Sequence, residues 1–421
     1  MSDFAAAGLE ASPLLPPNKK IVVCMDGTWN EPEEVSAYSK FKEEPTNVLK
    51  VVRGVKPRDN RGTVQITYYH TGVGTDAGFY DKYIGGAVGA GISNDIKDAY
   101  RFVANNYLPG DRLYIFGFSR GAFSARSLAG FIGSIGLMDK KHLAWLPDAY
   151  DLYHTDPAKR QTSEIKKEMD KAGIRCARDI PIHFVGVWDT VGALGAPTPL
   201  LKWLSRFWVK FHDTGLGKDV KHAYHALAID ERRRPFKPDL WTAKGDPEQV
   251  VEQVWFAGVH SNIGGSYRNR VLSDIALKWM VERAEECGLE FKEHLHTLEP
   301  EQISNGRVEP SYSLVYKALR ALNVKPYDRE IGDQQTGDEK EKPGINESVH
   351  WTAVEALHNQ LAIDCRKGGA EPYAAENLAQ ARNDGLRVWV KGQKGQVWNY
   401  PPQEDESCVT PALSQRVDQR S

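Results

Sequence analysis

Leu113-Tyr114-Ile115-Phe116-Gly117-Phe118-Ser119-Arg120-Gly121-Ala122-Phe123-Ser124-Ala125-Arg126-Ser127-Leu128-Ala129 is the stretch that decides how this chain folds. Leu113 to Phe116 is a short apolar run, the pattern of a strand buried on both faces. From Ala122 to Ala129 the residues are small enough for a helix to pack close on that strand. Between them Gly117-Phe118-Ser119-Arg120-Gly121 matches Gly-x-Ser-x-Gly, a sharp strand-to-helix turn that lifts a serine hydroxyl above a sheet. The five-residue string is weak alone; the strand before it and the helix after it give it meaning.

The same alternation extends on both sides. Lys20 to Met25 reads as a fully buried strand, Thr46 to Val55 as a helical stripe, and Val64 to His70 as a second strand. Ser93 can cap a helix whose apolar face is Ile96, Tyr100, Val103 and Tyr107. Ile182 to Trp188 and Val254 to Val259 are further strand-like runs. Strands alternating with helices predict an α/β fold: a mainly parallel sheet, helices on both faces, and inserted cap or lid segments. The expected organisation is a disordered leader over 1–18, a catalytic domain over 19–400 and a polar tail over 401–421. Cap insertions are expected at about 138–180, 195–250 and 290–345. The charged stretch from Asp328 to Asn346 reads as a solvated loop.

A serine needs a base to take its proton, and the base needs a third group to hold it. Asp189 and His260 each stand just past an apolar run, at the sheet edge where catalytic groups of parallel sheets gather. They follow Ser119 in the order Ser, Asp, His that this fold uses. Asp189 could instead cap the next turn, and Asp230 is the rival acid. Oxyanion contacts are expected from the Arg120 amide and from the amides of Gly27 and Thr28, after the first strand. Asp26 invites a metal or phosphoryl reading, but no acids cluster with it in sequence.

With 421 residues, 41% apolar and 26% charged, the composition is that of a globular protein, and the net charge of −2 carries no footprint for nucleic acid. Five cysteines at scattered positions predict neither a disulfide framework nor a metal site, and fit a reducing compartment. No cofactor is expected. Nothing resembles a signal peptide or an apolar transmembrane run, so synthesis in the cytoplasm is expected.

Cys24-Met25-Asp26-Gly27-Thr28-Trp29-Asn30, Thr46-Asn47-Val48, the Ser119 turn, Gly186-Val187-Trp188-Asp189-Thr190-Val191-Gly192 and Trp255-Phe256-Ala257-Gly258-Val259-His260-Ser261 together resemble the DUF2235 family of α/β-hydrolases. Some members are the Tle1 phospholipase effectors of type VI secretion. The resemblance implies Ser119, Asp189 and His260 as a triad, which demotes Asp230. It implies phospholipid acyl esters as the leading substrate, with peripheral membrane contact, export by a type VI system, and a secretion adaptor or immunity protein as possible partners. A soluble ester or thioester is the alternative substrate, and a catalytically silent binding protein is the alternative class.

Pro199 to Phe211 carries Trp203, Phe207 and Trp208 with Lys202, Arg206 and Lys210 spaced by four, the composition of an interfacial helix or lid. An ordinary amphipathic core helix has the same pattern. Gly72 to Gly91 is glycine-rich and reads as a loop at the site wall. Arg232-Arg233-Arg234 reads as solvated surface.

Overall fold

The computed structural model describes residues 18–27, 44–72, 87–154, 162–191, 215–233, 236–310, 327–332, 344–366, 369–383, 387–389 and 397–399. In chain order the first strands and helices are β1 (Lys20–Met25), α1 (Asn47–Gly54), β2 (Gln65–His70), α2 (Ala87–Asn106), β3 (Arg112–Phe118) and α3 (Arg120–Ile135). Then come β4 (Leu137–Met138), α4 (Leu146–His154), α5 (Thr162–Lys171), β5 (Cys176–Ala177), β6 (Ile182–Trp188), β7 (Val220–Ala228) and β8 (Val250–Phe256). The last third adds α6 (His260–Gly264), α7 (Val271–Glu286), α8 (Glu293–His296), β9 (Glu347–His350), α9 (Trp351–His358), α10 (Glu376–Asn383), β10 (Arg387–Trp389) and β11 (Val397–Asn399).

Among the described residues the main sheet runs β2-β1-β3-β6-β7-β8-β9-β10-β11, parallel throughout except for the last pair. The chain leaves β1 for the outer β2, then returns past β1 to β3 and continues the other way. The direction of winding therefore reverses between β1 and β3, where open α/β sheets leave a crevice at the carboxyl ends of their strands. Ser119 sits at that point.

Successive residues of a strand face opposite sides, and both sides here are covered. Val22 and Cys24 enter a core built with α1 and α7, while Ile21, Val23 and Met25 enter one built with α2 and α3. Phe131 of α3 packs edge-on to Tyr150 of α4, 5.3 Å between ring centres, which anchors the 138–180 stretch to the second core. Among the described residues no helix is long and apolar enough to cross a membrane.

Several expectations shift. Ser93 lies inside α2, which begins six residues earlier at Ala87, so it is not the cap; the buried face Ile96, Tyr100 and Val103 is as expected. The run read as Val254–Val259 is a strand from Val250 to Phe256, and Gly258, at φ 122°, turns the chain into α6. A central strand, β7, runs through the 195–250 stretch read as an insertion. Lysine and two histidines hide it in sequence, yet His225 is fully buried, taking the Thr190 N–H at Nε2 at 3.1 Å. The solvated reading of Asp328 to Asn346 fails at its start, where Arg329 and Ile331 are buried while Asp328 and Glu330 are exposed. The leader, the tail and the 199–211 helix lie outside the described residues, as does most of the Gly72–Gly91 loop.

Candidate active site

β3 ends at Phe118 and α3 begins at Arg120, leaving Ser119 alone between them at φ 58° and ψ −120°. A side chain in this region costs on the order of 1–3 kcal/mol, which the surrounding packing must impose. That packing is visible at the two glycines. A Cβ on Gly121 would stand 2.1 Å from the Met25 carbonyl oxygen, and one on Gly117 would stand 2.5 Å from the Gly121 oxygen. The start of α3 thus runs hard against the end of β1, and the Ser119 N–H donates across the sheet to the Trp188 oxygen at 3.1 Å.

His260 is the first residue of α6 and Asp189 the first residue after β6. His260 Nε2 lies 2.8 Å from Ser119 Oγ, and His260 Nδ1 lies 2.6 Å from Asp189 Oδ2. All three side chains are buried. Phe118 tilts over the imidazole at 4.7 Å between ring centres, and Phe236 meets it edge-on at 4.9 Å. Behind them Glu231, fully buried, accepts the His260 N–H at 3.3 Å and both Nε and Nη2 of Arg233 at 2.8 Å. The Arg233 guanidinium in turn lies 3.7 Å from the Phe236 ring centre.

Asp189 is itself held at φ 41°. Its Oδ1 accepts from the Ala228 N–H at 3.0 Å and from Arg329 Nη1 at 2.6 Å, and its Oδ2 accepts from Arg329 Nη2 at 3.0 Å as well as facing His260. Burial alone would raise this carboxyl, but the Arg329 charge and the His260 contact hold it well below the usual carboxylate range. Burial lowers the His260 imidazole, against the opposing pull of Asp189. A base must be neutral to accept a proton, so the sign is clear: activity stands above the His260 value and disappears as pH falls through it. The acid limb of the rate of serine labelling is expected to have its midpoint below about 6.5, the ordinary histidine value. A midpoint above about 7 would contradict the burial argument.

Asp230, the rival acid, faces elsewhere. Its carboxylate accepts from Gly258 N–H at 2.7 Å and Tyr373 hydroxyl at 2.9 Å, with Arg366 at 3.4 Å. Asp26 binds the Thr46 hydroxyl at 2.5 Å and the Tyr69 hydroxyl at 3.0 Å, knitting the loop after β1 to α1 and β2. It also takes the Gly27 N–H at 2.7 Å, which differs from the expected aim of that amide at an oxyanion. Arg120 opens α3, in the first turn, where helix N–H groups point outward. Thr28, Trp203, Phe207 and Trp208 lie outside the described residues. Arg233 is not the solvated residue expected, because Glu231 and Phe236 claim it. Among the described residues, no three His, Cys, Asp or Glu side chains gather as a metal would need.

A model of the type VI secretion phospholipase effectors, Tle1-like, catalytic domain, matches residues 19–283, more than half of the chain. The chain belongs to this Tle1-like family. An uncharacterized protein of Saccharomyces cerevisiae is 32% identical over 245 residues, covering 53% of this chain and 33% of its own length, so the chain spans about a third of that relative. A crystal structure of an uncharacterized protein from Pseudomonas aeruginosa is 18% identical, with a TM-score of 0.37, over 68% of this chain and 48% of that one. Ser119, Asp189 and His260 all fall inside the Tle1-like match, whereas Arg329 lies beyond its end at residue 283.

Proposed function

We propose that this Tle1-like chain is a serine hydrolase of carboxylic acyl esters, with phospholipids as the leading substrate. The observation that carries the reading is His260 held between Ser119 and Asp189 at 2.8 and 2.6 Å. Membership of a phospholipase effector family supports the choice of substrate.

In this mechanism the Ser119 hydroxyl gives its proton to His260 Nε2 as Oγ attacks the acyl carbonyl carbon. The imidazolium is held by its Nδ1–H donated to Asp189, which keeps the tautomer correct. The Arg120 amide, and that of Thr28, donate to the oxygen that becomes negative. Collapse breaks the ester C–O bond, and the leaving alcohol takes the proton from His260. Water then repeats the sequence on the acyl-enzyme, releasing the fatty acid and restoring Ser119. None of these steps calls for a cofactor. Trp203, Phe207 and Trp208 are proposed to meet the lipid surface. Export by a type VI system, with an adaptor or immunity protein, belongs to the same proposal.

The test is fatty-acid release from mixed phospholipid vesicles beside hydrolysis of a short-chain ester. Release from vesicles at least tenfold faster per accessible ester supports the lipid reading. Short-chain turnover without lipid release keeps the serine chemistry and removes the phospholipase. Silence on both, with no fluorophosphonate labelling, points to a binding protein.

A further inference from the structure

Arg329 comes from a segment 140 residues beyond Asp189, yet its side chain is 1% exposed against a carboxylate that is 0% exposed. A buried charge is costly unless paired, and Arg329 finds its counter-charge in this one carboxylate and further acceptors in two backbone oxygens, while its Nε has no hydrogen-bond partner among the described residues. Nη1 donates to Asp189 Oδ1 at 2.6 Å and to the Ala228 oxygen at 2.7 Å. Nη2 donates to Asp189 Oδ2 at 3.0 Å and to the Phe236 oxygen. The fork is therefore bidentate, the geometry that guanidinium and carboxylate planes share and an ammonium cannot copy. Its backbone is pinned as well. The Tyr327 N–H donates to the Arg232 oxygen at 3.0 Å, the Asn377 amide donates to the Arg329 oxygen at 3.0 Å, and the Gly332 N–H reaches Glu347 at 3.2 Å.

We propose that Arg329 is the positioning residue of the triad: its fork fixes the plane of the Asp189 carboxylate so that Oδ2 faces His260, and its charge offsets that of Asp189. This rests on the reading of Ser119, His260 and Asp189 given above.

Two effects follow. Locking both carboxylate oxygens removes the rotation that would turn Oδ2 away from His260 Nδ1. Offsetting the carboxylate charge weakens its hold on an imidazolium, which keeps His260 neutral to lower pH. Among the described residues, other charged and titratable groups also face the pair. Glu231 and Arg233, after β7, pair with each other beside His260. His225 of β7 is pushed down to about 3 by burial, with Arg126 of α3 adding to the effect, so it is neutral. Arg329 is the cation in direct contact with Asp189.

The experiment measures the rate of fluorophosphonate labelling against pH for the full chain, with Arg329→Gln, Arg329→Lys and Ser119→Ala beside it, and thermal unfolding of each. Arg329→Gln is expected to label about tenfold more slowly at its plateau. Its acid midpoint should rise by about one pH unit, because the uncompensated carboxylate now stabilises the imidazolium. Arg329→Lys keeps the charge without the fork, so it should be slower at the plateau with its midpoint near that of the wild type. A folded Arg329→Gln that follows the wild type at every pH overturns the proposal. So does one that is slower with an unmoved midpoint, since loss of packing alone would do that. If Arg329→Gln does not fold, Arg329→Lys decides. A slower plateau with an unmoved midpoint and thermal unfolding like that of the wild type supports the proposal, and wild-type labelling at every pH, or a shifted midpoint, overturns it. Failure of the underlying triad looks different: a wild type that does not label, or a Ser119→Ala variant that does.

Discussion

Ser119→Ala is expected to abolish fluorophosphonate labelling and to reduce ester hydrolysis by about 10⁴ to 10⁶-fold in kcat. The hydroxyl is the atom that forms the covalent bond, so nothing nearby can take its place. His260 Nε2 would lose its 2.8 Å partner but keep Asp189 at Nδ1. The backbone at φ 58° is set by the approach of α3 to β1, not by the hydroxyl, so alanine inherits the same turn. Stability should move by no more than about 1 kcal/mol, the ordinary worth of one hydrogen bond. Labelling of the variant at the wild-type rate would mean that the nucleophile is elsewhere.

Asp189→Asn should fail in two ways at once. An amide that donates where the carboxylate accepted leaves His260 in the wrong tautomer, which costs about 10⁴-fold in kcat in triads of this geometry. The second failure is in folding. Arg329 is 1% exposed and takes its counter-charge from Asp189, so the substitution strands a buried guanidinium. Breaking a buried pair from one side costs about 3–5 kcal/mol. Denaturant unfolding should therefore separate the two variants clearly, with Ser119→Ala near the wild type and Asp189→Asn far below it. Equal midpoints for both would mean that Arg329 does not depend on Asp189.

The site was legible in sequence where its residues end apolar strands. Ser119, Asp189 and His260 each stand directly after a run of buried residues or within a short turn of one, and parallel strands bring such ends together. Asp230, the rival acid, also stands just past a buried strand, β7. What separates the two acids is direction: a Tyr373 hydroxyl and a Gly258 amide hold Asp230 on another path. Arg329 had no such signature. Its neighbours are acidic and polar, and charged stretches ordinarily face water. Only the alternation of exposed Asp328 and Glu330 with buried Arg329 and Ile331 hints that the segment is half buried. β7 was hidden for a related reason, since His225 is a polar residue whose needs are met by Thr190 and Gln253 from distant parts of the chain.

The strap that carries Arg329 also sets a clock on synthesis. A ribosome makes a chain from its N-terminus at roughly 5–20 residues per second, and the early part can begin to fold before the rest exists. Ser119, Asp189 and His260 emerge while the segment that clasps Asp189 is still unmade, and Asn377, which pins the Arg329 backbone, comes later still. β8 likewise waits for β9, which pairs with it from more than ninety residues on. A nascent chain halted short of that point would hold its serine and histidine without a fixed acid. On the proposed reading, the full hydrolytic rate then waits until the segment carrying Arg329 has been made and has docked on Asp189.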